Sequence, residues 1–301
     1  MKLAYRTVDV FTDTRFCGNP LAVVLGADGL SDEAMQRIAR EFNYSETSFV
    51  LSPERPDHTA RVRIFTPALE VPFAGHPNIG TAHVLAAMPE YADADELVFE
   101  EKAGLVRIGV DRDVDGTVLR TELTAPEPLT TPAIWSVDEI AACLGLDPAD
   151  VATTVHPPMV ASVGLPFVVA ELASRAALAR AKPVLDAITR SLPRDGADSI
   201  YVYTRDCGAA DGGTDVSARM FAPFDGLPED PATGSATGAI SALLASRAGI
   251  IDGEWRATFA QGVDMGRPCR IEARVALRAG RPDTVRIGGR SVDVMEGTIR
   301  I

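Results

Sequence analysis

The sequence predicts an α+β protein made of two similar halves, and three observations carry that expectation. First, short motifs recur in the same order. "GNPLAVV" from Gly18 returns as "GLPFVVA" from Gly164, 146 residues on; "RIFTP" from Arg63 returns as "RMFAP" from Arg219 after 156; "AGHPNIGTAHVLAA" from Ala74 returns as "ATGSATGAISALLA" from Ala232 after 158. A repeat near half the chain length means two related domains rather than a solenoid. Second, each half is rich in strand patterns with one or two helices, unlike the regular alternation of a Rossmann fold. Third, no G-x-G-x-x-G occurs, so the dinucleotide-binding fingerprint is absent.

The elements follow in order. "AYRTVDVF" alternates in part and "LAVVL" is a short buried run, both reading as strands. Ser31 is the expected N-cap of a helix over "DEAMQRIAREF", with acids in its first turn and Met35, Ile38, Ala39 and Phe42 as its apolar stripe. "SFVL" and "ARVRIF" read as strands either side of a Pro-containing loop. "GHPNIGTAHVLAA" reads as a helix: Gly75 permits a tight turn, Pro77 suits the first helical position, and Ile79, Ala82, Leu85 and Ala86 suit a core face. "LVFEEKAGLVRIGVDRDVDGTVLRTEL" is a three-strand meander broken at Ala103-Gly104 and Asp115-Gly116. A Pro- and Thr-rich linker, "TAPEPLTTP", follows, and the second half repeats the scheme, ending in "RIEARVAL", "TVRIGG" and "VDVMEGTIRI". The expected domains are 1–125, completed by the C-terminal strand at about 290–301, and 126–289.

Composition narrows the function classes. Of 301 residues, 46% are hydrophobic and 24% charged, as in ordinary soluble globular proteins. Twenty-nine basic residues stand against 42 acidic ones, a net charge of −13, and the arginines are scattered. Nucleic acid and anionic membrane are therefore not expected partners. No apolar run approaches a membrane span, and "MKLAYRTVDVF" meets Asp9 too early for a signal peptide, so a cytoplasmic location is expected. Cys17, Cys143, Cys207 and Cys269 lie far apart with no C-x-x-C, which speaks against zinc spacing and a disulfide framework. His76 and His83 would sit ~10 Å apart along one helix, too far to share a metal without outside ligands. No metal site is expected.

The two Gly-rich helix starts, "GHPN" and "EDPATGSATG", are the candidate site. Exposed N–H groups and the positive end of a helix dipole favour an anion such as a carboxylate. No lysine stands near either loop, which excludes a Walker A motif, and "TGSATG" is not the G-x-S-x-G of a nucleophile elbow.

"FCGNPLAVVL", "NYSETSFV", "FTPALEVPFAGHPNIGTAHVL", "EDPATGSATG", "QGVDMGRPC" and the closing "VDVMEGTI" resemble the PhzF family, in the family's order and over nearly the whole chain. The resemblance implies the diaminopimelate-epimerase-like fold: two pseudo-symmetric domains, each a β-barrel-like sheet around a central helix, with the active site between them. It also implies no cofactor and a homodimer. Residue by residue, it assigns the acid/base to Glu46, the active-site histidine to His76, and the catalytic aspartate to Asp230. Gly75, Ser235, Gly234 and Asn78 become substrate-binding positions. Cys269 stands where family members often have serine and is not taken as catalytic; Asp198 is taken as the counterpart of Glu46 in the second half.

Epimerases of that fold use a thiol at each helix start, and neither loop here holds cysteine. A single carboxyl can instead move a proton from one carbon to another on the same face, an allylic isomerisation. That role calls for a Glu46 carboxyl held toward neutrality by an apolar enclosure, for which Phe49 and Phe73 are the nearby candidates. The resemblance implies a substrate like 2,3-dihydro-3-hydroxyanthranilate from phenazine biosynthesis. The Gly75 and Ser235 loops would hold its carboxylate, and His76 and Asp230 its amine or hydroxyl. Two alternatives stay open: a two-base epimerase using Glu46 and Asp230, and a non-catalytic small-acid-binding protein.

Overall fold

The computed structural model describes residues 2–225 and 227–301, which form a sheet-rich α+β fold. The chain divides into two compact units, the first running to Thr124 and taking back Gly288–Ile301, the second spanning Ala125–Ile287.

The first unit contains β1 (Lys2–Val10), β2 (Asn19–Leu25), α1 (Asp32–Phe42), β3 (Glu46–Leu51), β4 (Ala60–Phe65), β5 (Glu70–Val71), α2 (Gly75–Ala86), β6 (Glu96–Glu101), β7 (Gly104–Arg112) and β8 (Val118–Thr124). β1 and β2 are antiparallel, and β2 runs parallel to β3. β3 is antiparallel to β4, which pairs antiparallel with β5 and parallel with β6. The expected meander of β6, β7 and β8 closes antiparallel.

Strand alternation gives this unit two buried faces. On one, α1 lays Met35 and Ala39 against Leu3, Val24, Phe49, Leu51 and Phe65. Ser31 caps α1 as expected, its Oγ accepting from the Ala34 N–H at 3.2 Å. On the other face lies α2, whose Gly80 sits against Val8, Val10 and Leu21. All residues of α2 are buried, His76, Asn78 and His83 included. It begins at Gly75, so Pro77 is its third residue, not its first.

The second unit contains α3 (Val137–Leu144), β9 (Val151–Ala152), β10 (Met159–Ser162), β11 (Pro166–Leu172), α4 (Arg175–Arg180), α5 (Leu185–Ser191), β12 (Ile200–Thr204), β13 (Val216–Ala222), β14 (Leu227–Asp230), α6 (Gly234–Ser246), β15 (Gly253–Gln261) and β16 (Cys269–Arg278); β17 (Arg281–Gly289) carries the chain out of it. The chain ends in β18 (Ser291–Arg300), antiparallel to β1 of the first unit.

The pairing scheme of the first unit recurs here. β11 is parallel to β12, β12 antiparallel to β13, and β13 pairs antiparallel with β14 and parallel with β15. α6 follows β14 as α2 follows β5, and it is buried from Gly234 to Ala245 apart from Ser235. Even the side chains repeat. Arg63 grips Glu70 with Nε and Nη2 at 2.8 and 2.7 Å, and its guanidinium lies 5.2 Å from the centre of the Phe65 ring. Arg219 grips Glu229 with the same two nitrogens at 2.7 Å each, 4.9 Å from the centre of the Phe221 ring. Each bidentate fork ties the strand before a helix start to the short strand that delivers it.

Register corrects one expectation. Phe49 faces Arg63 and Val202 faces Arg219, so three residues earlier Glu46 corresponds to Ser199, not to Asp198. Ser199 is buried and Asp198 is exposed. Likewise Ile64 faces Val71 while Met220 faces Asp230, so Asp230 has an apolar counterpart.

Gly80 offers a direct test of the packing. Alanine in a helix interior is ordinarily favoured over glycine by about 1 kcal/mol. Here an added Cβ would lie 2.6 Å from Leu21 Cδ2 and 2.7 Å from Val10 Cγ2. Gly80→Ala should therefore reverse the usual sign and destabilise by about 1–3 kcal/mol, read from the midpoint of denaturant unfolding.

Candidate active site

In the first unit the site forms where β2, β3 and α2 begin. Glu46 opens β3 with its side chain 17% exposed, and His76, second residue of α2, is 4% exposed. Their nearest atoms, Glu46 Oε2 and His76 Nε2, stand 3.5 Å apart. Behind the ring, Asn19 at the start of β2 places Nδ2 3.3 Å from His76 Nδ1. Asn19 Oδ1 accepts from the Ser45 hydroxyl at 3.1 Å, which orients the amide. Asn19, Ser45 and His76 are all buried. A connected chain therefore runs from Ser45 through Asn19 to the imidazole that faces Glu46.

The sequence reading missed Asn19 and Ser45. Both stood inside quoted motifs, "GNP" and "YSET", and adjacency to the glycine turn and to Glu46 was the available signal. Gly18 shapes the approach: its φ is +68°, and a Cβ there would lie 2.5 Å from the Val10 carbonyl oxygen. Only glycine accepts both conditions without strain.

Burial holds His76 neutral, pushing its pKa down to about 3 against a small opposing effect from the Pro20 backbone. This matters chemically. An imidazolium 3.5 Å from Glu46 would hold the carboxylate ionised and oppose its taking up a proton; a neutral ring does not.

Phe49 does not enclose Glu46. It falls on the opposite face of β3, packed edge-to-face on Phe65 with ring centroids 5.3 Å apart. Phe73 is half-buried just before α2.

Asn78 is fully buried, and its Nδ2 donates to the Ala74 carbonyl at 3.1 Å, bracing the α2 start. Gly75 is buried, and no side chain caps the first N–H groups of α2. His83 packs at the far end of the helix, its Nε2 4.0 Å from Asp293 Oδ1.

In the second unit, Asp230 ends β14 and Gly234 opens α6, with Ser235 half-buried beside it. Thr233 occupies the N-cap position, yet its side chain makes no cap bond to the helix. Its hydroxyl donates instead to Asp230 Oδ2 at 2.6 Å. Gln261 braces the turn: its Nε2 donates to the Asp230 carbonyl at 2.9 Å, and its Oε1 accepts from the Thr233 N–H at 3.1 Å. Both helix starts thus leave their leading N–H groups without a side-chain cap, the arrangement that suits an anion. The Cys269 thiol is buried and turned to the Arg267 carbonyl at 3.2 Å.

Among the described residues, no group of three or more His, Cys, Asp or Glu converges as metal ligands, and no helix is long and apolar enough to cross a membrane.

Relatives of the whole chain include several named isomerases. The family model described as phenazine biosynthesis-like protein matches residues 8–297. An uncharacterized isomerase of Mesorhizobium japonicum is 40% identical over 301 residues, covering 99% of this chain and 98% of its own length. The trans-2,3-dihydro-3-hydroxyanthranilate isomerase of Pseudomonas aeruginosa is 37% identical over 293 residues, covering 97% and 98%. A crystal structure of the Bacillus anthracis phenazine biosynthesis protein of the PhzF family superposes with a TM-score of 0.88 at 28% identity, each chain covered in full. The protein is an isomerase, and the chain belongs to the PhzF family.

The neutral ring has a measurable consequence. His76 resonances in NMR should stay those of a neutral imidazole from about pH 8 to about pH 5, where an unperturbed histidine protonates near 6.5. The folded-state value lies below the unfolded one, so the unfolded chain binds the proton first. This residue therefore costs stability as pH falls from about 6.5 toward about 3.

Proposed function

We propose that the protein moves a proton within a small cyclic or unsaturated carboxylic acid of the trans-2,3-dihydro-3-hydroxyanthranilate kind, with Glu46 as the single acid/base and no cofactor. The observation that carries this reading is the Glu46–His76 pair, in which a partly exposed carboxyl stands 3.5 Å from a ring held neutral. Register adds to it, because Ser199 occupies the position of Glu46 in the second unit, and a serine is no mirror-image acid.

Proton transfer then needs one group. The Glu46 carboxylate takes a proton from an sp³ carbon beside a double bond, and the electron pair left behind delocalises toward the far end of that bond. The same carboxyl, now protonated, returns its proton to another carbon on the same face. Glu46 ends as it began, and the product is an isomer. His76, staying neutral, offers a hydrogen bond to an amine or hydroxyl of the substrate without supplying a proton of its own.

The uncapped starts of α2, at Gly75, and of α6, at Gly234 and Ser235, each have the chemistry to receive a carboxylate. Asp230, accepting the Thr233 hydroxyl and fixed by Gln261, suits a substrate amine. We read each unit as the epimerase-like half in which a sheet wraps its central helix.

Turnover in deuterated water tests the reading. With the dihydro-hydroxyanthranilate as substrate, Glu46→Gln should lower kcat by about 10²–10⁴-fold and keep the wild-type melting curve. Asp230→Asn should act mainly on KM. Inversion at a single carbon, with both variants equally inactive, would point instead to a two-base epimerase. Full turnover by Glu46→Gln would overturn the assignment of the base.

A further inference from the structure

The buried chain behind His76 fixes where the ring carries its proton. The Ser45 hydroxyl donates to Asn19 Oδ1 at 3.1 Å, which turns the amide so that Nδ2 faces His76 Nδ1 at 3.3 Å. An amide nitrogen donates and does not accept, so the ring nitrogen it meets must offer a lone pair. A neutral imidazole has one N–H and one lone pair, and burial keeps this ring neutral. Its N–H is therefore at Nε2.

The far side of the ring selects the same nitrogen. Nε2 is buried, makes no hydrogen bond, and stands 3.5 Å from Glu46 Oε2. Were the Asn19 amide turned over, its oxygen would accept from Nδ1–H, and Nε2 would present a lone pair to a carboxylate. Two acceptors would then face each other in a buried place, which is costly. As the amide stands, a donor meets an acceptor. The other neighbours leave this intact. The Pro20 backbone exerts only a small pull toward protonation of the ring. Asn78, two residues further along α2, gives its Nδ2 to the Ala74 carbonyl, and His83 packs toward Asp293 two turns away.

We propose that Asn19 is a positioning residue of the active site: it fixes the His76 tautomer with Nε2–H directed at Glu46, so that the ring enters the reaction as a donor. Ser45 supports this by keeping the amide from turning over. The role of Asn19 toward the ring stands on these contacts, and only its catalytic arm rests on the reading of Glu46 as the acid/base. A ring of this tautomer meets substrate as a donor alone. The group it holds is then an oxygen or a neutral amine with a lone pair to offer, and not an ammonium.

Nitrogen-15 spectra of the imidazole read the proton directly, because a bare and a protonated ring nitrogen resonate far apart. Wild-type His76 at neutral pH should show a protonated Nε2 and a bare Nδ1. Asn19→Asp keeps the shape and exchanges donor for acceptor. Its carboxylate should draw the proton to Nδ1, leave Nε2 bare, and move the second protonation of the ring to a higher pH than in wild type. Solvent-exchange kcat with the dihydro-hydroxyanthranilate should fall about 10²–10⁴-fold, and the loss should fall on kcat more than on KM. A residue that merely packs would lower the melting temperature on substitution and leave the proton where it is.

Should the variant fail to fold, wild type decides: a coupling across the hydrogen bond should join the Asn19 amide nitrogen to a bare His76 Nδ1. A wild-type ring protonated at Nδ1, absence of that coupling, or a proton that stays on Nε2 in Asn19→Asp would overturn the proposal. The spectra need no substrate. The expected tautomer together with full turnover by Glu46→Gln would fault the acid/base assignment and leave the role of Asn19 toward the ring standing.

Discussion

A helix that is buried on every side can present polar chemistry only at its ends, and this constraint governs both units. α6 carries almost nothing but small and apolar residues, α2 adds His76, Asn78 and His83 to such a set, and glycine lets each lie close to its strands, with Gly80 against Val8, Val10 and Leu21 and Gly238 against Val163, Val285 and Ile287. Their N-termini are where backbone N–H groups remain without partners from the helix itself. Neither start is closed by a capping side chain. Thr233, which has the chemistry to cap α6, is committed to Asp230 and Gln261 instead. A cap there would strengthen the helix by roughly 1 kcal/mol, so the departure fits a segment shaped for something other than stability.

Such uncapped ends must be held from outside. The Arg63–Glu70 and Arg219–Glu229 forks do this at equivalent points, and Arg219 also donates to the carbonyls of Leu178 and Ala181, closing the end of α4. With side chains only 16% and 10% exposed, the two arginines make partly buried pairs whose geometry satisfies both partners. Pairs of this kind fix conformation more than they add stability. The Ser45–Asn19–His76 chain works in the same way on a smaller scale, setting a ring plane by amide geometry.

Local signals in the sequence were reliable where a local cause exists. The Ser31 cap and the stripe of Met35 and Ala39 gave α1 its bounds, and the Asp115-Gly116 turn sits in the loop that joins β7 to β8. The repeated motifs were legible because they record turns and close packing that both units need. The contacts that build the site were not legible. Asn19 meets His76 across 57 residues and Ser45 across 26, distances over which no periodicity carries information. Two misplacements have simple causes. Phe49 was set beside Glu46 although three positions along a strand reverse the face. Matching "ADSIYV" to "SETSFV" pairs Asp198 with Glu46, whereas hydrogen-bond register selects its neighbour Ser199.

That serine carries the lasting consequence of the duplication. Two copies of one hydrogen-bonding scheme hold different groups at equivalent stations: Glu46 against Ser199, Val71 against Asp230. Such divergence lets each copy vary the group at one station while keeping the same strand pairing. A substitution at one station then leaves the scaffold and the other station intact, which is one physical route by which a single fold comes to host different chemistry.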